Sequence, residues 1–302
     1  MRGILATTVS FCKYTAEPIA ILEQNGFEII RDYGLKGFKD FSEEKRRSIE
    51  AIVVGLEKID AAMMDLLPNL KIIAKHGAGM DNIDMAAAKQ RNIQTCNFPG
   101  ANSNAVADIT LGLMLDVSRM ITRADRSVRS GKWERFYGTE LTGKTLSIIG
   151  FGAIGQAVAK RAMGFGMNIL AYDVEKTSFD GVQFVKFEEA IARGDYITLH
   201  VPLLESTRNM INKQTIALMK KTAFIINAAR GGLIDETALI AALENHTIAG
   251  AALDVFEHEQ NIDPKYFTLE NIVLTPHIAG FSEEAINTIS IGCTTKILEC
   301  CK

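Results

Sequence analysis

Residues 145–173 constrain the fold more than any other stretch. The apolar run TLSII (145–149) passes directly into GFGAIG (150–155), then the helical pattern QAVAKRAMGFG, then NILAYD, which ends on Asp173. A glycine-rich turn alone says little. Set between a strand and a helix, with a second strand and an acid about 20 residues on, it specifies a dinucleotide-binding βαβ unit. Gly150 permits the tight turn, Gly152 lets the backbone approach a pyrophosphate, and Gly155 brings the helix close to the sheet. The helix start at Ala153 and Ile154 offers unpaired N–H groups and a partial positive charge to phosphates. Asp173 accepts from ribose hydroxyls and repels a 2′-phosphate. That favours NAD over NADP, with the nearby Lys176 pulling the other way.

Strand-length apolar runs alternate with helical patterns on both sides of this unit. GILATT (3–8), AIVVG (51–55) and LKIIAKHG (70–77) read as early strands, with helices in PIAILEQNG (18–26) and MMDLLPN (63–69). Gly26 reads as a helix C-cap with a strand after it. After TLSIIG and NILAYD come YITLHV, AFIINA, GAALDV and NIVLTP as further strands. The alternation predicts an α/β chain of two doubly wound parallel-sheet domains, each sheet covered on both faces. The expected domains are a flavodoxin-like substrate domain over 1–98 and 281–302 and a Rossmann NAD-binding domain over 99–280. Near the start of the second domain one helix is expected over about 104–123, N-capped by Ser103. Its apolar residues Val106, Ile109, Leu113, Leu115, Val117 and Met120 cover more than one face, which points to an interface. A terminal helix is expected over 282–302.

Composition narrows the partners. A net charge of −3 supplies no basic face for nucleic acid. No apolar run approaches the ~20 residues of a membrane helix. Cys12, Cys96, Cys293, Cys300 and Cys301 are odd in number and form no C-x-x-C pair, so neither a disulfide framework nor a zinc site is expected. A cytoplasmic protein acting on a small molecule fits these limits.

Three late strand ends carry residues suited to a 2-hydroxy acid: Arg230 in INAARGGLID, Glu259 in LDVFEHEQ and His277 in TPHIAG. Ligands of doubly wound sheets bind beyond the carboxyl ends of strands. An arginine grips a carboxylate with two hydrogen bonds. A histidine exchanges a hydroxyl proton near neutral pH. A carboxylate beside the imidazole orients it and stabilises its charged form.

Over essentially its whole length the chain resembles the D-isomer-specific 2-hydroxyacid dehydrogenases. The matching motifs are HGAGMDNID (76–84), FPGANSNAVAD (98–108), GFGAIG (150–155), LHVPL (199–203), INAARGGLID (226–235), GAALDVFEHE (250–259) and TPHIAG (275–280). The resemblance implies that Arg230 binds the substrate carboxylate and polarises the carbonyl, that His277 is the general acid/base, and that Glu259 pairs with it. It implies that Asp254 contacts the nicotinamide amide and that His200, Val201 and Pro202 line the adenine side. Thr207, the backbone of Ala228 and Ala229, and Gly280 would complete the cofactor site. Lys75 and the backbone N–H groups around His76, Gly77 and Ala78 would face the substrate. A homodimer through the cofactor domain is implied by the helix near 104–123 and by Trp133.

The stretch GKWERFYGTELTGKTLSIIG is most similar to short-form D-3-phosphoglycerate dehydrogenases, which would make 3-phosphoglycerate, a precursor of serine, the substrate. Glyoxylate/hydroxypyruvate reduction and D-lactate dehydrogenation are alternatives, as is an NAD-sensing, corepressor-like binding protein. Three positions depart from the family pattern. Gln260 stands for the usual Pro beside Glu259, Asp108 for Glu, and Lys75 for the Arg that phosphoglycerate enzymes often carry. His246 and His258 read as surface residues.

Overall fold

A computed structural model of the protein describes residues 2–175 and 178–302. The chain divides into two compact units, Met1–Asn102 with Gly280–Lys302, and Ser103–Ala279. The first division falls four residues beyond the expected 98/99.

In the first unit, β1 (Arg2–Ala6), β2 (Phe27–Arg31), β3 (Ile49–Val54), β4 (Ile72–Lys75) and β5 (Gln94–Cys96) pair in the order β2-β1-β3-β4-β5, all parallel. Successive strand residues point to opposite faces, and the two cores follow that alternation. Ile4, Ala6, Ala51, Val53, Ile72 and Ala74 pack with Leu22 and with Ile289, Cys293 and Ile297. Leu5, Ile52, Val54 and Ile73 pack on the other face with Met63, Met64 and Ala88. Both faces are thus apolar, which is why β3 reads as a nearly continuous hydrophobic run. Each fully buried aliphatic side chain contributes roughly 1.5–3 kcal/mol. Ile289, Cys293 and Ile297 belong to the last helix, Glu283–Cys300, whose N-cap Ser282 accepts from the Ala285 N–H. Gly26 follows the Glu17–Gln24 helix at φ +82°, the left-handed geometry that favours glycine past a helix end. All five cysteines are unpaired.

The second unit has seven parallel strands: β6 (Thr145–Ile149), β7 (Asn168–Tyr172), β8 (Val182–Phe184), β9 (Tyr196–Leu199), β10 (Phe224–Asn227), β11 (Gly250–Leu253) and β12 (Ile272–Leu274). Their order is β12-β11-β10-β9-β6-β7-β8. Chain direction across the sheet reverses between β6 and β9, the switch point at which such folds bind dinucleotides.

The helix expected over 104–123 is two helices. Ser103–Arg119 ends at Met120, which takes a left-handed backbone (φ 56°), and Ile121–Arg129 follows. Asp116 accounts for the break: its carboxylate accepts the Thr122 N–H at 2.8 Å and the Thr122 hydroxyl, capping the second helix. Ser103 is the first helical residue rather than an N-cap, and its buried hydroxyl has no partner among the described residues. The apolar residues of this helix are largely spent inside the unit. Leu113 and Val117 are buried in one core and Val106 in another, with Ile109 and Leu115 packed alongside. Among the described residues no helix is long and apolar enough to cross a membrane.

Candidate active site

The glycine turn sits at the switch point. Gly150 has φ +96°, and a Cβ there would lie 2.6 Å from the carbonyl of His200, so the end of β6 meets the end of β9 only if this residue is glycine. A Cβ on Gly155 would lie 2.3 Å from the Gly150 oxygen, which fixes how closely the Ala153–Gly164 helix seats on the turn. Beside Gly152, by contrast, nothing among the described residues lies within 4 Å of such a Cβ. Gly152 supplies no side-chain cap to this helix, which leaves first-turn N–H groups of the kind a pyrophosphate takes. Asp173, one residue past β7, accepts from the Phe151 N–H at 2.6 Å and the Glu175 N–H at 2.9 Å. Its carboxylate is thereby fixed beside the turn. Lys176 lies outside the described residues. These features fit a dinucleotide.

Other expected cofactor residues are placed as follows. Burial pushes the His200 imidazole down to about 3. One ring nitrogen lies 2.9 Å from the Thr198 hydroxyl, and Nδ1 has no partner among the described residues. Val201 is half-buried and Pro202 exposed. The Thr207 hydroxyl donates to Pro202 O at 2.7 Å and accepts from Leu204 N at 2.8 Å, so it folds its own loop. Ala228 is buried and Ala229 half-buried at the end of β10. Gly280 lies in the first unit, where a Cβ would come within 2.9 Å of the Asn102 amide.

Arg230 is held by the turn after β10. Buried Asn227 accepts from Ala229 N at 3.1 Å and donates to Arg230 O at 2.9 Å, and an Arg230 Nη1–H meets Ala229 O at 2.7 Å. His277 follows β12, and its Nδ1 lies 2.7 Å from Glu259 Oε1. With Nδ1–H donating to the carboxylate, Nε2 is left as acceptor. It has no hydrogen-bond partner among the described residues, and the imidazole keeps 26% of its surface exposed. This is the arrangement of an acid/base histidine: one nitrogen oriented, the other available.

Asp254 directly follows β11. It is fully buried, and its two oxygens accept from the Thr275 hydroxyl (2.6 Å), Ile278 N (2.9 Å) and Ala279 N (2.8 Å). These bonds build the turn that presents His277. The Asp254 carbonyl also accepts the His277 N–H at 2.8 Å. Asp108 pairs with Arg161 at 2.6 Å, tying two helices of this unit together. His246 and His258 are exposed.

Lys75 and His76 lie in the first unit. Lys75 is only 6% exposed, and its ammonium donates to Gly55 O and, at 2.7 Å, to Asn82 Oδ1. The charge is used to join the ends of β3 and β4. The His76 N–H is taken by Val54 O and that of Gly77 by Lys75 O, which leaves Ala78 as the one expected backbone donor without a partner among the described residues. The His76 ring is buried between the Ser10 and Ser290 hydroxyls, 3.0 Å from each. Burial, with the Lys75 charge added, pushes it down to about 4.

Residues 111–279, more than half of the chain, match the family "D-isomer specific 2-hydroxyacid dehydrogenase, NAD binding domain". The chain belongs to this family. It is an NAD-dependent 2-hydroxyacid dehydrogenase, and its second unit is the NAD-binding domain. It is 46% identical over 254 residues to a hydroxypyruvate reductase of Thermotoga maritima, covering 82% of this chain and 83% of the relative. It is also 46% identical over 277 residues to a D-3-phosphoglycerate dehydrogenase of Methanocaldococcus jannaschii, covering 89% of this chain but only 52% of that relative, so it spans about half its length. A D-lactate dehydrogenase from Aquifex aeolicus, solved with NAD and lactic acid, superposes with a TM-score of 0.85 at 26% identity, over 98% of this chain and 94% of that one.

Proposed function

We propose that this dehydrogenase interconverts a short, unphosphorylated D-2-hydroxy acid and its 2-keto acid, with His277 as general acid/base. The pairing of His277 Nδ1 with Glu259 at 2.7 Å, with Nε2 left as acceptor, carries the reading. Bound NAD supplies the hydride acceptor or donor. During oxidation His277 Nε2 takes the hydroxyl proton, and Glu259 stabilises the imidazolium that forms. During reduction the same nitrogen returns the proton to the carbonyl oxygen. Arg230 grips the carboxylate and stabilises charge developing on that oxygen. Asp173 favours NAD over NADP by repelling a 2′-phosphate. The second unit's apolar residues Ile121 (53% exposed), Val128 (54%), Trp133 (81%) and Tyr137 (86%) support a homodimer through this unit. A monomeric mass by light scattering would remove that part.

Phosphoglycerate oxidation is the second reading, supported by the 46% identity to the Methanocaldococcus enzyme. Lys75 weighs against it, because its ammonium is buried on Gly55 O and Asn82 Oδ1. A panel of glyoxylate, hydroxypyruvate, pyruvate and 3-phosphohydroxypyruvate, each with NADH and NADPH, decides. The unphosphorylated acids should turn over, faster with NADH. Turnover that requires the phosphate would establish the second reading, and no turnover with any acid would end both.

A further inference from the structure

The loop that carries Glu259 has little holding it. Residues 257–260 form an exposed turn after β11, closed by Asn261 N donating to His258 O at 2.8 Å. The Glu257 side chain meets Arg208 at 3.3 Å, an exposed pair of small energetic weight. The base of the loop is better defined. A Cβ on Gly231, next to Arg230, would lie 2.0 Å from the Phe256 carbonyl carbon and 2.3 Å from Glu257 N. The loop backbone therefore rests directly on the residue after Arg230. At that point the Glu257 N–H donates to Glu236 Oε1 at 3.0 Å.

Glu236 is the first residue of the Glu236–Glu244 helix. An acid there ordinarily serves the helix dipole. Here the cap is made by Asp235, whose side chain accepts Ala238 N, and Glu236 reaches across to the loop instead. Burial raises its proton affinity, and the Glu257 and Asp263 carboxylates add to this, while the Glu257 N–H and His258 oppose it. Keeping a carboxylate at such a place requires a bond that repays its desolvation.

We propose that Glu236 is a positioning residue, holding the 256–260 loop so that Glu259 meets His277. The inference rests on the acid/base role given to His277 above. Only His258 separates Glu257 from Glu259, so a displacement of the Glu257 N–H passes directly to the carboxylate that orients the imidazole.

The test compares Glu236→Ala, which deletes the acceptor, with Glu236→Gln, which keeps an acceptor oxygen. Two readouts are used: steady-state kinetics, and the NMR titration of the His277 ring, which needs no turnover. The alanine variant should lose about 10-fold in kcat, since small misplacements of catalytic groups are costly, with the KM for NAD unchanged. Its His277 titration should move toward that of a Glu259→Gln protein. The glutamine variant should stay within about 2-fold of the parent in kcat. An alanine variant with unchanged kcat and titration overturns the proposal. Equal losses in both variants with an unmoved titration also overturn it, because they reveal only a stability role. A parent protein inactive on every acid, but with a titration that moves in the alanine variant, removes the proposed reaction and leaves the positioning role standing.

Discussion

His76 and His277 each end a region at the carboxyl edge of a parallel sheet, and their surroundings are opposite. His76 is 8% exposed, both its nitrogens meet serine hydroxyls, and it is pushed down to about 4. His277 has one nitrogen on a carboxylate and the other without a partner among the described residues, on a ring 26% exposed. The first ring is saturated with neutral partners and joins the loop after β1 to the Glu283–Cys300 helix. The second has an anion to stabilise its charged form and a nitrogen left for substrate. Position at a strand end does not make a histidine a catalyst. The unequal treatment of its two nitrogens is what supports the acid/base role proposed for His277.

The contrast breaks if the two histidines respond alike to mutation. The largest effect is expected for His277→Ala: turnover should fall about 10²–10⁴-fold, while calorimetric NAD binding persists. Near-normal turnover would end the assignment. Next comes Glu259→Gln, which removes the neighbouring negative charge. Its kcat should fall about 10-fold, and the acidic limb of the pH–rate profile for reduction should move to lower pH. A limb that stays put would mean the 2.7 Å pair has no catalytic weight.

The smallest effect on turnover, a few-fold at most, is expected for His76→Gln, whose signature is in stability. The folded protein keeps His76 neutral down to about 4, whereas the unfolded chain binds the proton near 6.5. Stability from this group is therefore complete above 6.5 and lost as pH falls toward 4, by up to about 3 kcal/mol. His200, pushed down to about 3, acts in the same direction. His76→Gln should reduce the slope of unfolding free energy against pH in that window. An unaltered slope in denaturant titrations would show that burial of this ring is not linked to acid stability.

Much of this was legible in the sequence because it depends on local pattern. The strand, turn, helix, strand and acid of residues 145–173 fix the cofactor unit through glycine sterics alone, as the contacts of Gly150 and Gly155 demonstrate. Arg230, Glu259 and His277 stood out because each follows a late strand, and the structure pairs the last two at 2.7 Å. What escaped the sequence depends on which partner a polar side chain takes. The left-handed Met120 follows from Asp116, a residue inside one helix whose carboxylate caps the next. The sequence does not show that the Lys75 ammonium donates to Gly55 O and Asn82 Oδ1. Nor does it show that the Asp254 oxygens accept three donors from 275–279. The short strands β5 and β8, three residues each with exposed positions, lack the apolar run that reveals their neighbours.

His277 itself occupies a left-handed backbone, φ 54°, a conformation that costs a side-chain-bearing residue on the order of 1 kcal/mol. Glycine would accept that shape without complaint. Robustness and competence therefore pull apart at this one position: a swap to glycine would relax the backbone and, on the proposed role, remove the proton-transfer group with it.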